Sequence, residues 1–168
     1  MRRILVTGLE SSVTRTIASI IANNLELPLE KFKDKNEFCI QNEFCSVTHC
    51  SMPHGYSDIR SINMIDLNLY PPIEESDWDN IILCTRDYNC VLQSRLKNHQ
   101  PDEHIAISEQ NIGIYFLSKI LLLDNCSIFS YETWRIFKDV YLQKFLSGID
   151  IPHTIMEKVF DVNEKYLK

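Results

Sequence analysis

Ser11, Ser12, Thr14 and Thr16 put four hydroxyls into six consecutive positions, behind Gly8 and with Val13 and Arg15 between them. Hydroxyls and backbone N–H groups concentrated in this way suit a tetrahedral anion, phosphate or sulfate. Arg86 and Ser94 offer related chemistry. A guanidinium is a planar fork of donors for phosphate oxygens, and a serine two helical turns later donates from the same side. Group transfer near neutral pH also needs a proton acceptor. His54 is the choice, because an unperturbed imidazole titrates at about 6.5. His49 and Glu10 compete with it, and Tyr56 and Arg60 could orient an acceptor. Cys45, His49 and Cys50 are not read as metal ligands: no Cys-x-x-Cys pair occurs, and strand alternation puts the two cysteines on opposite faces. Cysteines scattered in or beside apolar runs predict reduced thiols.

These side chains need elements to hold them. Ile4-Leu5-Val6-Thr7 is a buried-strand run and Thr16 to Ala22 is helix-like, so the hydroxyl loop is the turn between a strand and a helix. Such a turn brings N–H groups and the positive end of a helix dipole to one point. The strict phosphate-loop pattern is not met, since the loop has one glycine and no lysine. An ordinary first strand–helix unit of an α/β domain fits this segment equally well.

Further on, Phe44 to His49 reads as a second strand closed by a loop to Tyr56, and Asn80 to Thr85 is another buried run. Arg86-Asp87 then opens a helix carrying Val91, Leu92 and Leu96. A long helix is expected from about Ser108 to Leu123, a short strand over Ser127 to Ser130, and a helix from Glu132 to Leu146 ended by Gly148 at a C-cap. Asn23 to Asn42 reads as a connector, the stretch 61–69 fits neither period, and Pro152 to Lys168 is expected to dock as a last helix. Strands alternating with helices predict a three-layer α/β/α domain around a central, mainly parallel sheet. Ligands then bind at the carboxyl ends of the strands. The loops 8–15, 50–60 and 86–94 and the segment 130–132 should meet at one edge.

Composition narrows the classes. A length of 168 residues predicts one domain with a real core. The net charge of −6 argues against a non-specific nucleic-acid binder, which would neutralise phosphates with clustered Lys and Arg. The longest apolar stretch, Ile112 to Leu123, is broken by Ser118 and Lys119 and is too short for a bilayer. No secretory signal is read at the start, so a cytoplasmic location is expected.

Taken together, the strand-end residues resemble the sulfotransferase family, particularly its short bacterial and phage members, over most of the chain. Ser12-Val13-Thr14 is similar to the family's Ser-Gly-Thr loop, and Arg86 with Ser94 matches its Arg and Ser spaced eight apart. Ser130-Tyr131-Glu132 resembles its Tyr-Glu after a late strand. The resemblance implies a P-loop nucleotide-binding fold and sulfuryl transfer from 3′-phosphoadenosine 5′-phosphosulfate (PAPS) to a hydroxyl of a small molecule or sugar, without a metal. It implies that Ser11, Ser12, Val13, Thr14, Arg15 and Thr16 hold the 5′-phosphosulfate end, with Arg15 also serving the transfer, and that Arg86 and Ser94 hold the 3′-phosphate. His54 is the base in this scheme.

Three departures stand out. Val13 occupies the family's glycine position, Ser11 stands where most members carry a cation, and no Gly-rich basic closing loop is found up to Lys168. Two rivals therefore stay open: a small P-loop kinase using ATP and Mg²⁺, which would lack its loop lysine, and an inactive binding protein on the same fold. Tyr88 and Trp134 are read as core aromatics, and His99 and His104 as solvent-facing. Arg95 and Lys97 either add positive potential or form a solvated helix face.

Overall fold

A computed structural model describes residues 1–27, 39–52, 77–98 and 100–153. The elements run in the order β1 (Arg2–Leu9), α1 (Thr14–Asn24), β2 (Cys39–Gln41), β3 (Cys45–Met52), β4 (Asn80–Thr85), α2 (Tyr88–Asn98), α3 (Glu103–Ile120), β5 (Cys126–Ser130) and α4 (Tyr131–Gly148). Ile4, Leu5 and Val6 of β1 and Ile81, Ile82 and Leu83 of β4 are all buried. A strand covered on both faces reads as a continuous apolar run, which is why these two were plain in the sequence.

The strand order is β2-β3-β1-β4-β5. β1 is central and pairs in parallel with β3 on one side and β4 on the other, and β5 continues in parallel beyond β4. β2 runs antiparallel to β3. The sheet is therefore mixed, which corrects the expectation of a mainly parallel one. A tight reversal at Asn42 is the cause: its Oδ1 accepts from the N–H groups of Phe44 at 2.9 Å and Cys45 at 2.8 Å. An asparagine turn of this kind folds a short strand back on its neighbour without a crossover.

Each face of the sheet has its own apolar cluster. Ile4, Val6, Val47, Ile82 and Phe129 pack with residues of α1 and α4. Leu5, Ile81 and Leu83 pack with Leu117 and Ile120 of α3. Consecutive residues of β1 thus alternate between clusters, as a two-residue period requires. The same alternation separates Cys45 from Cys50, one in each cluster.

Several boundaries differ from expectation: β3 runs on to Met52, through the Ser51-Met52 read as loop, and α3 ends at Ile120 rather than Leu123. α3 begins at Glu103, because Asp102 caps it by accepting from the Ile105 N–H at 3.1 Å. Gly148 does not stop α4; it lies in the last turn with open space around it, and the left-handed residue beyond is Asp150 at φ 53°. α4 also breaks its helical geometry at Lys138. The expected last helix, apart from residues 152–153, and the stretch 61–69 lie outside the described residues. No helix among the described residues is long and apolar enough to cross a membrane.

Candidate functional site

The chain leaves β1 for a neighbour on one side and later returns to pair on the other, so the loop after β1 lies at a topological switch point. Parallel strands leave a crevice there, outside their carboxyl ends. Gly8 makes the loop possible. A Cβ at that position would overlap the Cys84 carbonyl oxygen and the Ser12 hydroxyl, so the loop folds back over the strand only above a glycine. Ser12 fastens the fold-back: its N–H donates to the Leu9 carbonyl at 2.9 Å, and its hydroxyl donates to the same oxygen.

Ser11 and Val13 both lie in the left-handed region, at φ 72° and 63°. Left-handed residues spaced in this way occur in backbone concavities that bind anions. Val13 is also the N-cap of α1, with no side-chain cap and no acidic residue in the first turn. The helices α2, α3 and α4 are capped by the side chains of Asp87, Asp102 and Ser130. Among the described residues, α1 is thus the helix at the strand ends whose N-terminus has no side-chain cap.

Arg86 follows β4 and crosses to this loop. Its Nη1 donates to the Ser11 carbonyl at 2.7 Å, and its guanidinium lies 5.4 Å from the centre of the Tyr131 ring. Tyr131 is buried, and Ser130 before it caps α4 by accepting from the Thr133 N–H at 3.2 Å. Glu132 accepts the Asp87 N–H at 2.8 Å, locking β5–α4 to β4–α2. Asp87 in turn accepts from the Cys90 N–H at 2.9 Å. That bond first, against the opposing effect of burial, then bonds from the Cys90 thiol and the Asn89 N–H, and least the Arg86 charge, hold the Asp87 carboxyl below the ordinary range.

β3 contributes an imidazole. Its parallel register sets His49 opposite Val6 and Ser51 opposite Gly8. Thr14 Oγ1 lies 2.9 Å from His49 Nε2 and 2.8 Å from Ser51 Oγ, and His49 Nε2 lies 3.1 Å from Ser51 Oγ. Two hydroxyls and a ring nitrogen therefore close a three-membered hydrogen-bonded cluster under the start of α1. Thr14 and Ser51 are buried in it and His49 is half-buried.

A second polar cluster ties the loop from behind. Arg95 is 1 % exposed; its Nη1 donates to Glu10 at 2.7 Å and its Nη2 to Glu109. One guanidinium thus joins the β1 loop, α2 and α3. Burial raises the Glu109 carboxyl above its ordinary range, against the pull of Arg95. Arg95 is accordingly neither a solvated side chain nor a source of spare positive potential, and Glu10 is an ion-pair partner.

The structure brings Ser11, Arg86 and Tyr131 together. Ser12 and Thr14 turn their hydroxyls into the fold, while Arg15 and Thr16 are exposed on the first turn of α1. Ser94 is buried on α2, where its hydroxyl accepts from Asn98 at 3.3 Å. Trp134 is core, His104 is exposed, and Tyr88 is 38 % exposed at the start of α2, outside the core it was assigned to. His54, Tyr56, Arg60 and His99 lie outside the described residues. Ser51 was overlooked, although its place two residues beyond His49 in a strand puts both on one face. The Glu10–Arg95–Glu109 cluster had no counterpart in local pattern, since its members are far apart in the chain. Compared with protein-family models, curated proteins and solved structures, the chain matches none. Its own fold defines an α/β protein with a mixed five-stranded sheet among the described residues.

Proposed function

We propose that this is a sulfotransferase-like protein of the three-layer P-loop type, binding PAPS at the loop 8–15 and moving its sulfuryl group to a hydroxyl of a small molecule or sugar. The observation that carries the reading is the 2.7 Å bond from Arg86 to Ser11, which joins two anion-suited segments 75 residues apart. The N–H groups of the loop and of the first turn of α1, with Arg15, receive the 5′-phosphosulfate end. Arg86, steadied on Tyr131, and Ser94 serve the 3′-phosphate. The acceptor oxygen forms a bond to sulfur as the bond from sulfur to the 5′-phosphate oxygen breaks, and the acceptor proton passes to a base. We assign that proton to His49, which lies at this edge against Thr14; His54 is the alternative base.

A kinase reading is disfavoured because Arg15 is the sole cation in residues 8–16 and a γ-phosphoryl transferase relies on its loop lysine. The test is release of 3′-phosphoadenosine 5′-phosphate from the donor across a panel of sugar and small-molecule hydroxyl acceptors, with ATP and Mg²⁺ in parallel. Turnover is expected with the sulfated donor and should fall by roughly 100-fold or more in His49→Ala. ADP formation without bisphosphate release would instead establish the kinase, and binding without turnover the inactive relative.

A further inference from the structure

We propose that the space between β4 and α3 is a binding site for an uncharged ring compound, an aromatic or alicyclic body of one to two rings. It is independent of the sulfotransferase reading. A cavity of about 260 Å³ opens there, walled by Leu9 and Leu83 from the sheet, Tyr88 from α2, Ile114 and Leu117 along α3, and Leu121 just past its end. Ile114 and Leu121 are 41 % and 48 % exposed, which sets them at the mouth.

The hydroxyls in the wall donate elsewhere. Ser12 donates to the Leu9 carbonyl, Thr85 to the Phe129 carbonyl at 3.4 Å, Ser118 to the Tyr115 carbonyl at 2.7 Å, and Tyr88 to Asn111 Oδ1 at 3.4 Å. What faces the space is carbon. Water holds a buried position only with two to four polar partners, and apolar cavities of roughly 150 Å³ stay dry and take up benzene. The larger volume here has room for a second ring. Arg86 borders the cavity, but its guanidinium is directed to the Ser11 carbonyl and the Tyr131 ring. An uncharged ligand is assigned for that reason.

The test is titration of the full chain, carrying ¹³C-labelled Leu and Ile methyls, with 2-naphthol and with naphthalene-2-sulfonate. The neutral ring should give saturable shifts and intermolecular NOEs at Leu83 and Leu117, with a Kd on the order of 0.1 mM. The sulfonate should bind at least tenfold more weakly. Ser118→Trp, which adds bulk at the wall without removing a core side chain, should weaken 2-naphthol at least tenfold while the methyl signals of Ile20 and Ile21 keep their positions. Should that variant fail to fold, the NOEs in the unsubstituted chain decide. No shift at Leu83 and Leu117, equal affinity for the sulfonate, or undiminished binding in folded Ser118→Trp would overturn the proposal.

Discussion

Val13 holds a conformation that costs an L-residue roughly 1–2 kcal/mol and suits a β-branched one least. Glycine would relieve that strain while adding back about 0.5–1 kcal/mol of unfolded-chain entropy. Val13 also packs against the core, and losing its methyls offsets the remaining gain, so Val13→Gly is expected to shift Tm by less than about 2 °C in a thermal melt. Asp87 carries the pH dependence of this edge. Its folded carboxyl lies below the unfolded value of 3.8, so its stabilisation is complete above that value and is lost as pH falls through the folded one. Asp87→Asn keeps an acceptor for the Cys90 N–H and should flatten the acid limb of urea midpoints below about pH 4. The effect will be modest, because the side chain is largely open to solvent. The backbone angle of Val13 was not legible beforehand: a β-branched residue in a loop does not announce a positive φ, which belongs to the folded loop.

At the scale of elements, Arg95 is the tether among the β1 loop, α2 and α3. Replacing it with Met strands two partly buried carboxylates and should cost about 3 kcal/mol in denaturant titrations. Adding Glu10→Gln and Glu109→Gln to that variant should restore most of the loss, because the carboxylates are what the arginine balances. Glu109→Gln by itself should cost less, since burial already works against that carboxylate. The sequence showed β1, β4 and their helices clearly because doubly covered strands are unbroken apolar runs. It hid β2, where only Ile40 of three residues is buried, and it hid Arg95, because a basic residue near a helix end usually faces water. The early start of α3 was readable in principle from Pro101-Asp102-Glu103, a capping pattern that was passed over.

Across the whole molecule, the order of strands matters more than any single motif. With β1 between β3 and β4, the hydroxyl loop, the imidazole of β3 and the arginine after β4 are delivered to one edge. The alternation of strands and helices was enough to expect that convergence for the loops 8–15 and 86–94 and the segment 130–132. The antiparallel edge was not, because it depends on a three-residue turn at Asn42. The most direct measurement is calorimetric titration with 3′-phosphoadenosine 5′-phosphate, in parallel with Arg86→Ala and with ATP plus Mg²⁺. Arginine–phosphate contacts contribute on the order of 1.5–3 kcal/mol, so the account predicts Mg²⁺-independent binding that weakens by roughly tenfold or more in the variant. An absence of bisphosphate binding, or binding that ignores Arg86, would contradict it.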